Sequence, residues 1–195
     1  MKINGRRVNN LSYILIDDFF TVKELEAVNQ EIKDLKRFSV CPEKTGVATD
    51  DQQKPKKIGV GLFLDELYAN NREASDILTA NRKIFTLEVQ EYAVKFDAVF
   101  GYIQESNQDS TLLNYYAEGQ SYAPHKDQAR ISAVTFLRQG EFKGGEFSFP
   151  EQEVIIEAAH NRTVIFPSCA THSAMPVHGK GTRISIAQFI DFVGR

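Results

Sequence analysis

The chain has 195 residues, of which 42% are hydrophobic and 25% are charged. This length fits a single domain, expected over residues 1–195, and the composition excludes a chain that is mainly disordered. The 23 Lys and Arg residues against 26 Asp and Glu residues give a net charge of −3. A charge so close to balance argues against a broad nucleic-acid-binding surface.

The sequence contains no run that resembles a signal core or a membrane span. The apolar stretch 13–16 ends at Asp17 and Asp18, and no stretch approaches the ~20 apolar residues of a membrane helix. We therefore expect a cytoplasmic protein without membrane contact, and the sequence leaves the oligomeric state open. Cys41 and Cys169 are the two cysteines, too few for a disulfide framework. We expect both to be free thiols without a role, with Cys169 buried.

The first predicted elements are a short strand and a helix. Residues 13–16 form an apolar run that predicts a strand. Thr21 and Glu24 stand three residues apart and fit a capping box, in which each caps the backbone of the other. Apolar residues follow at helical spacing as far as Leu35. The pattern therefore predicts a helix over 22–37.

The middle of the chain combines a long polar loop with further helical patterns. Residues 41–57 contain prolines, a glycine and paired acidic residues without apolar periodicity, which predicts a loop. Because long loops in a compact domain are often lids, we hypothesise that 41–57 is a mobile lid on the substrate side. Residues 73–100 carry apolar residues that predict one or two helices. The sequence thus predicts a helical part over 1–100.

The chain changes character after Gly101. Short β-rich runs separated by glycine, proline and asparagine are typical of a sandwich or barrel of many strands. We predict a mainly β core and, for the whole chain, an α+β fold class. The predicted β runs are 112–113, 131–137, 147–149, 154–156, 164–166 and 184–192.

Three residues of the β part form a candidate metal site. His125 and Asp127 make an H-x-D triplet, and His172 lies on a later strand. Alternate residues of an extended segment point to the same side, so His125 and Asp127 project together and His172 can complete the set. Two imidazoles and one carboxylate suit Fe(II) and leave coordination positions open. Because most such triplets are surface residues, the surrounding motifs decide the interpretation.

Further motifs accompany the triplet in a fixed order. They are Y-x-x-G-x-x-Y-x-x-H-x-D over 116–127, G-G-E over 144–146, a histidine followed by P-V over 172–177, and G-x-R-x-S over 181–185. This order resembles the prolyl 4-hydroxylase-like branch of the Fe(II)/2-oxoglutarate-dependent dioxygenases. The resemblance covers 110–192. It implies a double-stranded β-helix, a jelly-roll or cupin-like fold, whose sheet is buttressed by the N-terminal helices.

The resemblance also implies the reaction. His125, Asp127 and His172 would bind Fe(II), while 2-oxoglutarate and O2 are consumed to give succinate and a hydroxylated C–H position. Ascorbate, which keeps iron reduced in relatives, is an expected helper. The first expected substrate is a prolyl residue of a protein or peptide. The alternatives are a free amino acid or small metabolite and, from another class, a non-catalytic jelly-roll binding module with a vestigial metal site.

Four residues are candidates for binding the cosubstrate. By resemblance, Arg183 pairs with the distal carboxylate of 2-oxoglutarate, for which a guanidinium fork is well shaped. Ser185 lies two residues further along the same strand and therefore shares the face of Arg183. Tyr116 resembles the family tyrosine whose hydroxyl also reaches 2-oxoglutarate. Tyr122 is expected near the iron on the substrate side, with ordinary packing as the equal alternative.

Three features narrow the choice of branch. Arg183 stands where collagen-type prolyl hydroxylases carry lysine, which argues against collagen as the substrate. The stretch from Ser185 to Ile190 contains no second arginine, which argues against repair of alkylated bases. Asp127 retains the carboxylate that family halogenases replace with a small residue, so hydroxylation is the expected outcome.

Overall fold

The computed structural model describes residues 1–191, and the chain over this range is built mainly from antiparallel strands. The predicted β run that ends at Phe192 extends one residue beyond this description. The strands are β1 (Lys2–Val8), β2 (Leu11–Asp17), β3 (Lys57–Ile58), β4 (Val60–Phe63), β5 (Gln108–Tyr116), β6 (Ser121–His125), β7 (Ile131–Gln139), β8 (Lys143–Gly144), β9 (Phe147–Phe149), β10 (Val154–Ile156), β11 (Arg162–Pro167), β12 (His172–Ala174), β13 (Val177–His178) and β14 (Thr182–Asp191).

Helices lie mostly between β2 and β5. They are α1 (Val22–Leu35), α2 (Leu64–Leu67), α3 (Asp76–Asn81), α4 (Leu87–Phe96) and α5 (Gly101–Glu105). Short 3-10 turns cover Lys36–Phe38, Pro42–Thr45, Arg72–Ala74, Arg82–Phe85, Ala98–Phe100 and Pro150–Gln152. None of the helices described over 1–191 is both long enough and apolar enough to cross a membrane.

Two antiparallel sheets enclose the inner core. The larger sheet has the order β1-β2-β11-β7-β14-β5-β4, the smaller has the order β10-β9-β12-β6-β3, and β8 pairs separately with β13. Aromatic side chains from both sheets meet between them, with ring centroids 5.8 Å apart for Phe136 and Phe147 and 5.2 Å apart for Phe149 and Phe166. This arrangement confirms the predicted double-stranded β-helix.

The helices cover the outer face of the larger sheet. Ile184 and Ile186 of β14 belong to the same buried cluster as Val28 and Ile32 of α1. The Tyr115 hydroxyl of β5 donates to the backbone carbonyl of Ile32 at 2.7 Å, which ties the sheet to the helix. The predicted buttress is therefore present, and burial of these apolar side chains stabilises it.

Helix α1 begins with the predicted capping box. The backbone N–H of Thr21 donates to Glu24 Oε2 at 2.7 Å, and the N–H of Glu24 donates to Thr21 Oγ1 at 3.4 Å. The helix ends at Leu35 and passes into the 3-10 turn Lys36–Phe38. The predicted helix over 22–37 thus has the correct start, and its last residues take the tighter turn common at helix ends.

The predicted helical part over 1–100 contains four strands, of which the sequence predicted one, the strand over 13–16. β1 and β2 form a hairpin whose two turn residues, Asn9 and Asn10, have φ of 46° and 65°. Both values are typical of a type I′ turn, which suits the twist of a hairpin. β1 shows no apolar alternation because it is an edge strand with mostly exposed side chains. The predicted strand over 13–16 is the centre of β2.

The expectation that Cys169 is buried is wrong. Cys169 and Cys41 are both free and exposed. Cys169 lies in the turn that follows β11, where the N–H of Ala170 donates to the carbonyl of Pro167 at 2.9 Å. A turn at the end of a strand directs this side chain outward although the neighbouring strand is buried.

Candidate metal and cosubstrate site

The three predicted metal ligands lie together at the ends of two neighbouring strands of the smaller sheet. His125 ends β6 and is paired across the ladder with His172, the first residue of β12. Asp127 lies just beyond β6, where its backbone N–H donates to the carbonyl of Ser168 at 3.1 Å. Strand pairing, rather than proximity along the chain, therefore joins the second histidine to the H-x-D triplet.

The distances within this group suit a single metal ion. His125 Nε2 lies 3.6 Å from Asp127 Oδ1, and His172 Nε2 lies 3.4 Å from Asp127 Oδ2. The ligand atoms of the three residues all lie within 4.8 Å of one another. Ligands that bind one ion at about 2.0–2.2 Å are themselves roughly 3 Å apart, so small rotations close the set.

Backbone carbonyls fix the tautomer of both histidines. His125 Nδ1 lies 2.9 Å from the carbonyl of Ala123, and His172 Nδ1 lies 3.0 Å from the carbonyl of Ala170. Because a carbonyl oxygen can only accept, each Nδ1 carries the hydrogen and each Nε2 presents a lone pair. Burial lowers the pKa of His125 to about 3, so the imidazole is neutral, as metal binding requires.

The environment of Asp127 also favours a cation. Burial raises the pKa of its carboxyl, because a carboxylate in an apolar site is costly. The Ser132 hydroxyl donates to Asp127 Oδ2 at 2.6 Å and fixes its orientation. A divalent cation between the three residues would offset the cost of the carboxylate charge. Two imidazoles and one oriented carboxylate therefore fit Fe(II) with positions left open for other ligands.

Tyr122 packs directly on the metal group. Its ring stacks on that of His125 with centroids 3.5 Å apart and an interplanar angle of 12°. Its hydroxyl accepts a hydrogen bond at 2.9 Å from the backbone N–H of Ala48, which belongs to the polar loop 41–57. Tyr122 thus links a candidate metal ligand to this loop.

Arg183 provides a buried cation without a counter-charge in a cavity that the three candidate metal ligands also line. The residue is 1% exposed, and its Nε and Nη1 atoms have no hydrogen-bond partner within residues 1–191. Its guanidinium carbon lies 5.1 Å from the ring centroids of both Tyr116 and Phe136. Because a buried charge without a partner is costly, the unpartnered guanidinium indicates a site for an anion, and a carboxylate fits its planar shape.

Gly145 makes room for the arginine, a role that the sequence did not reveal. A Cβ at Gly145 would lie 2.9 Å from Arg183 Cδ, and its φ of 71° disfavours other residues. The G-G pair at Gly144 and Gly145 is a visible signal, but it predicts only a turn. Contact with a side chain from β14 becomes evident only in the folded chain.

Tyr116 and Ser185 lie beside Arg183. Tyr116 is paired across the ladder with Arg183, and burial raises its pKa to about 12, so the phenol keeps its hydrogen and can donate. Ser185 acts in the opposite direction and lowers the pKa of Tyr116, because its hydroxyl can donate to the phenol oxygen. All three residues line one cavity, which places the predicted cosubstrate-binding residues on a common surface.

The cavity has a volume of about 470 Å³ and joins the two groups of residues. It extends past the metal group to the aromatic pair Phe63 and Phe189, whose ring centroids are 6.5 Å apart. Residues 45–49 of the polar loop line it as well. The space is therefore shared by the candidate metal ligands, the buried arginine and the predicted lid.

Comparisons with known proteins agree with this geometry. Residues 111–191 match the family model described as the 2OG-Fe(II) oxygenase superfamily, while a search of curated proteins finds no match. Among solved structures, a Pseudomonas putida prolyl-4-hydroxylase is similar with a TM-score of 0.58 and 15% identity, over 93% of each chain. The viral collagen prolyl hydroxylase from Paramecium Bursaria Chlorella virus-1, solved with 2-oxoglutarate, is similar with a TM-score of 0.51 and 17% identity. The match covers 93% of this chain and 96% of the other. A Trichoplax adhaerens prolyl hydroxylase, in complex with a hypoxia inducible factor peptide fragment, is similar with a TM-score of 0.56 and 13% identity. The match covers 92% of this chain and 83% of the other.

Residues 111–191 are therefore a 2OG-Fe(II) oxygenase domain, and the protein is a dioxygenase enzyme. Its fold is that of the prolyl 4-hydroxylase-like branch. Fe(II), 2-oxoglutarate and O2 are the cofactor and cosubstrates of this class, and the group of His125, Asp127 and His172 fits iron.

Proposed function

We propose that this enzyme hydroxylates a prolyl residue of a protein or peptide, with iron held by His125, Asp127 and His172. When bound, the iron supplies the activation of oxygen that no side chain can provide. The guanidinium of Arg183 binds the distal carboxylate of 2-oxoglutarate, while Tyr116 and Ser185 offer hydroxyl groups beside it. The buried residues that line the inner part of the cavity limit the access of water to the reacting groups.

The unpartnered guanidinium of Arg183 is the observation that carries this proposal. A vestigial binding module has no reason to retain a buried, unpartnered cation that lines a cavity shared with three candidate metal ligands. The prolyl substrate is supported by the solved relatives, which are prolyl hydroxylases by name. A cytoplasmic location and help from ascorbate stay predictions from the sequence.

A free amino acid or small metabolite is the second candidate substrate. Residues 45–49 line the cavity, and the hydrogen bond from Ala48 to Tyr122 fixes them there. In this arrangement a small molecule reaches the metal group without a change of the loop. A peptide chain needs more space, which it gains if the loop moves.

The test is a turnover assay followed by mass spectrometry. The protein is incubated with Fe(II), 2-oxoglutarate and ascorbate, first with a pool of proline-containing peptides and then with a pool of free amino acids. We expect succinate together with a gain of one oxygen atom on a prolyl residue. A gain on a free amino acid supports the second candidate, and absence of succinate in both pools contradicts the enzyme proposal.

We further propose that the polar loop 41–57 is a lid held by Tyr122. Replacing Tyr122 by Phe removes the acceptor of the Ala48 N–H, and one such bond is worth roughly a 2- to 10-fold change in opening. Hydrogen exchange at the Ala48 amide should accelerate by this factor. Tyr92→Phe is the matched control, because the Tyr92 hydroxyl accepts from the N–H of Gly5 at 2.8 Å, away from the loop.

This control should accelerate exchange at Gly5 and leave Ala48 unchanged. If Tyr122→Phe leaves the exchange of Ala48 at the wild-type rate, other contacts hold the loop and the proposed role of Tyr122 is incorrect. Addition of 2-oxoglutarate and Mn(II), which does not start turnover, should slow exchange over 45–49 if the lid closes on a filled site.

A further inference from the structure

A second buried cation, Lys57, lies close to the cosubstrate residues. The residue is 2% exposed, and its ammonium lies 5.9 Å from the centroid of the Tyr116 ring. Within residues 1–191 its side-chain hydrogen bond goes to the side-chain oxygen of Asn114, and no carboxylate oxygen lies within 4.0 Å. A buried ammonium without a counter-charge is unusual and calls for an explanation.

The backbone is shaped to hold this ammonium beside Asn114. Gly61 of β4 faces the pair, and a Cβ at this position would lie 2.8 Å from Lys57 Nζ and 3.1 Å from Asn114 Oδ1. Only glycine leaves this space free. Burial lowers the pKa of Lys57 to about 8, so the ammonium is still mostly protonated at neutral pH.

The charged end fixes the direction of the hydrogen bonds that follow. An ammonium can only donate, so Asn114 must turn its oxygen toward Lys57 and its Nδ2 hydrogens the other way. Asn114 Nδ2 then donates to the Leu112 carbonyl at 3.2 Å and faces both the carbonyl and the hydroxyl oxygen of Ser185 at 3.5 Å. The Ser185 hydroxyl, as acceptor from Asn114, has its own hydrogen free for Tyr116.

We propose that Lys57 is a positioning residue for the cosubstrate, acting through Asn114 and Ser185 so that the Tyr116 hydroxyl donates into the cavity. The inference rests on the proposed function, in which this hydroxyl meets a carboxylate of 2-oxoglutarate. With Lys57 neutral or absent, Asn114 is free to turn over, and Ser185 and Tyr116 lose their fixed orientation. Chains of hydrogen bonds with one imposed direction strengthen one another in an apolar interior.

A purely structural role for Lys57 makes a different prediction. In that case the lysine only ties β3 to β5, and any partner at position 114 that binds the ammonium would serve. Asn114→Asp separates the two ideas. The carboxylate keeps Lys57 paired and buried, but it has no hydrogen to donate to Ser185.

The experiment measures the binding of 2-oxoglutarate to Mn(II)-loaded protein by calorimetry, which requires no turnover. We expect Lys57→Met and Asn114→Asp to weaken this affinity by about 10-fold or more, the loss typical of one hydrogen bond to a charged group. Gly61→Ala, which displaces the ammonium and keeps every polar group, should also weaken the affinity for 2-oxoglutarate. Lys56→Met is the control, because Lys56 donates from the surface to the Pro124 carbonyl at 3.1 Å.

The control should keep the wild-type affinity, and Mn(II) binding should be unchanged in all four variants. Thermal unfolding identifies a variant that does not fold, and Asn114→Asp then decides the matter. If folded Asn114→Asp binds 2-oxoglutarate as the wild type does, the positioning role is incorrect. If the wild type itself does not bind 2-oxoglutarate, the proposed function fails instead.

Discussion

Replacing Asp127 by alanine is expected to abolish turnover at any concentration of 2-oxoglutarate. The carboxylate is the single anionic group among the three candidate ligands, and it stands 3.4–3.6 Å from the two imidazole Nε2 atoms. Loss of groups that merely orient metal ligands lowers affinity by about 10- to 100-fold. Loss of the ligand itself should therefore lower Fe(II) affinity by at least about 100-fold.

Although Asp127→Ala lowers Fe(II) affinity, it should not lower the stability of the metal-free protein. Burial raises the pKa of Asp127, so without a cation the folded state carries the cost of an unfavourably placed carboxyl group. Asp127→Ala removes that cost, and its thermal midpoint without metal should equal or exceed that of the wild type. Fe(II) should raise the midpoint of the wild type and leave that of the variant unchanged.

Asp191→Ala is the matched control for this variant. Asp191 also lines the cavity but lies at the end of β14, outside the group of candidate ligands. Its loss should leave Fe(II) affinity at the wild-type value. Wild-type Fe(II) affinity in Asp127→Ala would show that the metal is held elsewhere, and the assignment of the three ligands would be withdrawn.

Replacing Arg183 by alanine is expected to weaken 2-oxoglutarate binding and to spare the metal. The substitution leaves a bound carboxylate without its buried partner, which costs about 2–5 kcal/mol. This range corresponds to roughly a 30- to 5,000-fold loss of affinity. Because the contact is remote from the reacting C–H bond, the loss should appear in the apparent affinity for 2-oxoglutarate, and a high concentration should restore much of the rate.

The shape of the guanidinium also predicts a graded loss of 2-oxoglutarate affinity among variants of Arg183. Arg183→Lys keeps the charge but replaces a planar fork with a single ammonium, so its affinity should lie between those of the wild type and Arg183→Ala. Arg162→Ala is the control, because Arg162 lies in the same sheet and pairs at 2.6 Å with the half-exposed Asp17. Wild-type 2-oxoglutarate affinity in Arg183→Ala would mean that another cation holds the cosubstrate.

Local sequence patterns determined much of the candidate site. The alternation along β14 placed Arg183 and Ser185 on one face and Ile184 on the other, and the structure has this arrangement. The Thr21 capping box began α1 at the predicted residue. Such features depend on neighbours within a few residues, because strand and helix periodicity are local properties of the backbone. The order of the motifs, through the family resemblance, predicted the double-stranded β-helix fold of the β part.

Tertiary structure alone decided which distant segments meet. β3, with Lys57, consists of two residues and has no pattern of its own, yet pairing with β6 buries the lysine beside Asn114. The polar loop reaches Tyr122 through one backbone hydrogen bond from Ala48. The space around Gly61 is likewise set by strands far apart in the chain. These contacts depend on the register between strands, which long-range packing fixes and local sequence does not encode.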